Sequence, residues 1–183
     1  TDRETLLASL ASEQKNWTVA LQHAKAALDS QNSSKNPVFT RQEISALYAY
    51  ILTQSLPPEQ ALAQINQQLA QIDKQKSSPT YAVERSSLIY QRGLLYADKL
   101  RQPEKAIADF RTYLTHNPDS AQGQNALGYN LLEMGKEHLP EALELISAAY
   151  KKEPNNPQIA DSMGWAYYQN AEYPKAQTIL AQA

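Results

Sequence analysis

The three histidines are the side chains best suited to acid–base or metal chemistry in this sequence, but their surroundings do not favour it. His23, His116 and His138 are far apart, and none has a second histidine or a carboxylate at a convincing metal-ligand spacing. His116 falls in the last turn of a predicted helix, where a positive charge suits the helix dipole. His138 falls in an extended turn. We therefore expect surface or capping roles for the histidines.

Motifs that carry enzyme chemistry are absent from the sequence. There is no Gly-x-Ser-x-Gly elbow, P-loop or dinucleotide-binding fingerprint. The chain has no cysteine, which excludes thiol catalysis, disulfides and cysteine-bound zinc. Carboxylate pairs such as Glu141 and Glu144 are expected on a solvated helix exterior. The sequence thus predicts no catalytic residue, no metal, no cofactor and no enzyme activity.

The composition of the chain argues against nucleic acids and membranes as its partners. The 183 residues are 42% apolar with a net charge of −2, which suggests neither nucleic acid nor an anionic membrane as a partner. No run approaches the ~20 apolar residues that span a bilayer, so we expect no membrane insertion in this segment. The chain starts without methionine or signal peptide, as a processed protein or a piece of a longer one would.

Helical patterning runs through the whole chain. Apolar residues at helical spacing predict about ten helices in five antiparallel pairs, the last pair truncated. The first helix is predicted to bury a stripe of Leu6, Leu7 and Leu10. Thr40 and Glu43 have the spacing of a capping box. Longer loops are predicted at 31–40 and 74–80.

Two blocks near the end of the chain repeat each other. Gly128 and Gly164 are 36 residues apart, and Ala142 and Ala176 are 34 apart. Glycine inside a helix costs roughly 0.5–1 kcal/mol relative to alanine, so it needs a structural reason. The expected reason is close approach of the next helix through the alanine about a dozen residues later. The spacing therefore predicts closely nested helical hairpins.

Three successive units carry a common pattern. The last supplies Ala160, Met163, Gly164, Tyr167, Ala176, Leu180 and Ala183 in order. The one before supplies Leu127, Gly128, Leu131, Ala142, Ile146, Ala149 and Pro154, with two extra residues in its turn. The third from the end supplies Gly93, Tyr96, Ala106, Phe110 and Pro118, with one extra residue. This pattern resembles the 34-residue tetratricopeptide repeat (TPR).

The resemblance implies an all-α fold, a right-handed α-solenoid of about five antiparallel helix pairs. Residues 1–80 would form divergent TPR-like hairpins and residues 81–183 well-matched repeats, in one continuous solenoid. The first helix of each TPR pair lines the concave groove, which here implies a protein-binding site. Its predicted residues are Tyr50, Tyr90, Leu94, Asp98, Gln122, Asn125, Tyr129, Glu133, Gln158, Asp161, Trp165, Tyr168 and Gln169.

An apolar and mostly aromatic column is expected down this groove. It would run through Tyr50, Leu94, Tyr129 and Trp165. Such side chains bury area on a peptide at low entropy cost. Some TPR domains bind a terminal carboxylate through a set of Lys, Asn and Arg residues at groove positions. This sequence lacks that set, so the resemblance to those domains fails at their ligand-binding residues.

The predicted function is a non-enzymatic scaffold or adaptor for a partner protein or peptide. The amino-acid sequence of the last units looks most similar to that of bacterial TPR proteins, including envelope lipoproteins that act as adaptors. That resemblance favours a periplasmic or outer-membrane-associated location over a cytoplasmic one. Two alternatives remain open. The piece could be the end segment of a longer solenoid that self-associates as a homo-oligomer or docks on its own chain. It could also be an accessory domain of an enzyme.

Overall fold

Ten α-helices follow one another in the computed structural model, which describes residues 2–30, 38–78 and 80–181 and shows no β-strand among them. The helices are α1 (Asp2–Glu13), α2 (Trp17–Asp29), α3 (Arg41–Ser55), α4 (Pro58–Ile72), α5 (Tyr81–Leu94), α6 (Pro103–His116), α7 (Ala121–Met134), α8 (Leu139–Lys152), α9 (Pro157–Gln169) and α10 (Tyr173–Leu180). Of the predicted loops, residues 31–37 and 79 lie outside the described residues. His116 ends α6 and His138 lies in the turn before α8, as the sequence predicts.

Several helices begin at capping residues that the sequence contains. At the start of α3, the Thr40 hydroxyl accepts from the backbone N–H of Glu43, and the Glu43 carboxylate accepts from the backbone N–H of Thr40. The predicted capping box is therefore confirmed. Ser120 and Asn156 cap α7 and α9 in a related way, by accepting from a backbone N–H in the first turn. These caps satisfy donors that the first turn of a helix leaves unpaired.

The extra residues of the irregular repeats are absorbed in two local distortions. The single extra residue of the third unit from the end coincides with a π-helical turn, Leu95–Lys99, that continues α5. A π turn holds one more residue than an α turn over the same rise. The two extra residues of the next unit coincide with a 3₁₀ turn, Lys136–His138, entered through Gly135 at φ +135°. Glycine suits that backbone conformation because it has no Cβ.

Residues 2–95 form the first of two compact units. Here α1 packs on α2, α2 on α3, and α3 on both α4 and α5. The side chains of Ile44, Ile51 and Ile65 are fully buried. The repeat pattern predicts divergent hairpins over residues 1–80 and well-matched repeats over residues 81–183. That division of the chain stays a prediction.

Helix α1 buries a different face from the one predicted. Its buried residues are Thr5, Ala8 and Ala11, whereas Leu6 and Leu10 are 51% and 53% exposed. Small side chains on α1 meet the alanine stripe of α2, which lets the two backbones approach closely. The predicted leucine stripe is wrong because size, not hydrophobicity alone, selects the packed face.

Residues 96–181 form the second unit, in which small residues allow close packing as predicted. A Cβ built on Gly128 would lie 2.6 Å from Cγ1 of Ile146 and 3.1 Å from the backbone oxygen of Ala142. The expectation that α7 nests on the helix of Ala142 is therefore confirmed. At Gly164 the nearest side chain is that of Leu180, one turn beyond the predicted partner Ala176. Ala176 is buried nonetheless.

Arg41 ties three helices of the first unit together. Its guanidinium donates to both carboxylate oxygens of Glu84 on α5, at 2.9 and 3.3 Å, and to the backbone oxygen of Leu28 on α2. We expect Arg41→Ala to lower the free energy of unfolding by about 1–3 kcal/mol, because the partly buried Glu84 loses its cation. Urea denaturation followed by circular dichroism measures it. Arg3→Ala, at an exposed site on α1, should change stability by less than about 0.5 kcal/mol. Equal effects of the two changes would contradict the assignment.

Candidate functional site

Two helices of the second unit, α7 and α9, carry most of the predicted groove residues. They contact each other directly, and each opens its own hairpin. We call the outward residues on them the α7–α9 face. This face consists of Gln122, Asn125, Tyr129 and Glu133 on α7 and of Gln158, Asp161, Trp165, Tyr168 and Gln169 on α9. Within each helix, most of these residues recur at steps of three or four, which places them along one stripe.

The charges of carboxylates from three parts of the unit act on Tyr129. It is 39% exposed, although its neighbours Leu127, Gly128 and Leu131 on the same helix are buried. Partial burial, and then the charges of Glu133, Asp161 and Asp98, raise the pKa of the Tyr129 hydroxyl. Asp98 comes from the π turn. Three of the predicted residues, from α7, α9 and the π turn, therefore act electrostatically on a fourth.

A cluster of aromatic rings extends the face toward α10. The rings of Trp165 and Tyr168 stack with centroids 5.3 Å apart and an interplanar angle of 10°. Tyr173 meets Tyr168 edge to face at 5.5 Å. Trp165 is half-buried, while Tyr168 and Tyr173 are 52% and 57% exposed. The repeat pattern did not predict Tyr173 as a groove residue. Tyr173 begins the second helix of its hairpin, whereas the groove positions of the pattern lie on the first helix.

Two polar atoms on this face are buried without a hydrogen-bond partner among the described residues. They are the Oδ1 atom of Asn125 and the Nε1 atom of Trp165. A buried polar atom without a partner costs free energy, so such atoms are uncommon in folded proteins. Asn125 lies one helical turn before Tyr129.

Three predicted groove residues lie in the first unit. Tyr50 on α3 is exposed and meets Trp17 edge to face, with ring centroids 6.4 Å apart. Tyr90 and Leu94 on α5 are partly buried. The continuation of the predicted aromatic column from one unit to the other stays a prediction.

The described residues show neither a metal site nor a membrane span. No group of three or more histidines, aspartates or glutamates lies close enough to hold a metal ion in that part of the chain. Likewise, none of its helices combines the length and hydropathy that crossing a bilayer requires.

Known proteins of similar fold and sequence identify the architecture. The chain aligns over 98% of its length with a crystal structure of MamA, covering 87% of that chain, at a TM-score of 0.59 and 14% identity. It aligns over 96% with YrrB, covering 80% of that chain, at a TM-score of 0.60 and 19% identity. A tetratricopeptide repeat protein from Parabacteroides merdae gives a TM-score of 0.61 at 15% identity, over 97% of this chain and 62% of the other. The chain has the tetratricopeptide repeat fold.

A curated TPR protein supports this identification at the level of sequence. A TPR repeat-containing protein of Pseudomonas aeruginosa is 38% identical over 97 residues, which are 53% of this chain and 16% of the relative. The chain thus spans a small part of that relative's length. No protein-family model matches the sequence. The predicted recognition as a TPR protein and the all-α class are confirmed. TPR folds serve protein–protein interaction in general, through the surfaces that their stacked helices present.

Proposed function

We propose that this TPR chain is a non-enzymatic scaffold whose α7–α9 face binds a peptide segment of a partner protein. The observation that carries the proposal is the exposed aromatic surface of that face. Tyr129 and Tyr168 lie open on the first helices of two adjacent hairpins, and Trp165 supports the second of them by stacking. Tyrosines bury large area at low entropy cost and keep a polar tip for hydrogen bonding, which suits them to recognition.

The polar residues of the face complement this aromatic surface. Side-chain amides of Gln122, Gln158 and Gln169 lie on the same two helices and can donate to or accept from a peptide backbone. YrrB, which shares the fold, is described as a TPR protein with an unusual peptide-binding site.

The dimensions of the face set the size of the ligand. Helix α7 has 14 residues, so its axis is about 21 Å long at 1.5 Å per residue. An extended peptide rises about 3.3 Å per residue. About six residues of an extended segment therefore cover the face along α7. A peptide of 12 residues is long enough to test it.

Exchange of the two exposed tyrosines tests the proposal. Peptides selected from a phage-displayed library of random 12-residue sequences are synthesised with a fluorescein label, and their affinity is measured by fluorescence anisotropy. We expect Tyr129→Ala with Tyr168→Ala to weaken binding by about tenfold or more, because contact tyrosines are frequent hot spots. Helicity should be retained, since neither side chain belongs to the buried core.

Leu6→Ala with Leu10→Ala is the matched control. It removes two exposed apolar side chains of similar exposure from the first unit. We expect peptide affinity to change by less than about twofold. Selected peptides that bind the tyrosine variant as tightly as the parent chain would refute the proposed site. Binding that depends on Leu6 and Leu10 instead would place the peptide site on α1 and refute the α7–α9 face.

A further inference from the structure

The charged residues of the second unit are distributed unevenly between its helices. Neither α7 nor α9 contains a lysine, arginine or histidine. Their charged residues are Glu133, one turn after Tyr129 on α7, and Asp161 on the contacting helix α9. The charge of Asp98 in the π turn also acts on the Tyr129 hydroxyl. The lysines and arginines of the unit lie elsewhere, at Lys99, Arg101, Lys105, Arg111, Lys136, Lys151, Lys152 and Lys175, as do its histidines, His116 and His138. The charges that act on the Tyr129 hydroxyl all come from carboxylates.

These three carboxylates are also unpaired. Asp98, Glu133 and Asp161 are exposed, and in the part of the chain that the structure describes none of them has an ion pair or a hydrogen bond. Other carboxylates of the same unit do have cationic partners. Glu141 is paired with Arg111, and Glu172 with Lys175. The face around Tyr129 therefore presents carboxylates that have no ion pair among the described residues.

Elsewhere in the same unit, two tyrosine rings make cation–π contacts with lysines. The Nζ atom of Lys105 lies 5.4 Å from the ring centre of Tyr96, and that of Lys175 lies 5.2 Å from the ring centre of Tyr167. A cation within about 6 Å of an aromatic ring is attracted by the ring quadrupole. Tyr129 is exposed on a face whose charged residues are Glu133 and Asp161, and α7 and α9 supply no cation. A ligand that carries a cation could therefore make at Tyr129 the contact that lysines make at Tyr96 and Tyr167.

We propose that the α7–α9 face selects a basic peptide segment, in which an arginine or lysine packs on Tyr129 between Asp98, Glu133 and Asp161. This inference rests on the proposed function and specifies its ligand. Arginine fits best, since its planar guanidinium stacks on a ring and donates to carboxylates at the same time. Acidic tails and nucleic acids are repelled by the same charges.

Three labelled 12-residue probes test this charge preference. They are four copies of Gly-Ser-Arg, of Gly-Ser-Gln and of Gly-Ser-Glu, each titrated with the 183-residue chain at low and high salt. We expect the arginine probe to bind at least about tenfold more tightly than the glutamine probe and to weaken as salt rises, because exposed charges are screened. The glutamate probe should not bind. Equal affinity for the arginine and glutamine probes would overturn the inference.

Isosteric variants locate the site. Asp98→Asn, Glu133→Gln and Asp161→Asn together should weaken the arginine probe by about tenfold or more. The control is Glu104→Gln, Glu137→Gln and Glu144→Gln, which changes the net charge equally at exposed sites in or beside the second helices. It should alter affinity by less than about twofold. Equal losses in the two triple variants would mean that the arginine probe senses only net charge, which overturns the assigned site.

The random library separates this inference from the proposed function. Binders that are rich in arginine or lysine and depend on Tyr129 and Tyr168 support both. Binders that depend on the tyrosines, lack basic residues and tolerate the three neutralised carboxylates leave the proposed function standing and refute the charge preference. If no selected peptide depends on the tyrosines, both proposals fail.

Discussion

Gly128→Ala is expected to lower the free energy of unfolding by about 1–3 kcal/mol, although alanine is the better helix former by roughly 0.5–1 kcal/mol. The added methyl group would lie 2.6 Å from Cγ1 of Ile146 and 3.1 Å from the backbone oxygen of Ala142. Neither neighbour can move easily, because Ile146 is fully buried and the oxygen belongs to the helix backbone. Urea denaturation followed by circular dichroism measures the loss.

Gly164→Ala is the matched control, since it occupies the equivalent position in the next unit. The added methyl group would meet the side chain of Leu180, which is half exposed and able to turn aside. We expect the free energy of unfolding to change by less than about 1 kcal/mol. The higher helix propensity of alanine and the cost of displacing the Leu180 side chain offset each other. If both variants lose the same stability, close packing at Gly128 is not what distinguishes the two sites.

A double-mutant cycle isolates the contact itself. Ile146→Ala should cost about 2–5 kcal/mol alone by leaving a cavity. The space it opens accepts the methyl group of Gly128→Ala, so the double variant should be more stable than the sum of the two losses implies. Strict additivity would show that Ile146 does not limit what fits at position 128.

Phe110→Ala should have the largest effect on stability of the changes considered, about 3–5 kcal/mol. Phe110 is among the largest side chains that are fully buried, and it lies on α6 at the start of the second unit. Its removal costs both the transfer free energy of the ring and the cavity left behind. The same urea titration measures the loss.

Ile107→Ala on the same helix is the comparison for Phe110. Ile107 is only partly buried, so the expected loss is less than half as large. Because stacked repeats can unfold in separable steps, the transitions should be followed at several wavelengths before a single free energy is assigned. A larger loss at Ile107 would place the centre of this part of the core elsewhere.

Helix positions and hairpin order could be predicted from the sequence because local signals decide them. The capping box of Thr40 and Glu43 and the glycine–alanine spacing of Gly128 and Ala142 both act over a few residues or between successive helices. The buried face of α1 could not be predicted in this way. Leu6 and Leu10 have helical spacing, but the alanine stripe of α2 selects Ala8 and Ala11 through its size. That choice depends on the partner helix, which periodicity does not reveal.

The candidate site was predictable as a set of positions but not as an arrangement of charge. The repeat pattern supplied Tyr129, Asp161 and Trp165 as groove positions. It did not indicate that Asp98 would act on Tyr129, because Asp98 lies in a π turn that a regular pattern does not contain. It also did not predict the ring contact between Tyr168 and Tyr173, which joins two helices across a turn.

The wider turn at Leu95–Lys99 has a consequence for how such a chain can tolerate changes in length. An added residue in a regular helix rotates every later side chain of that helix by about 100° and would move a buried residue toward water. A local bulge takes up the addition within one turn, so the residues after it keep their original orientation. Insertions and deletions of one residue should therefore be tolerated in this turn far better than in the middle of α7 or α9.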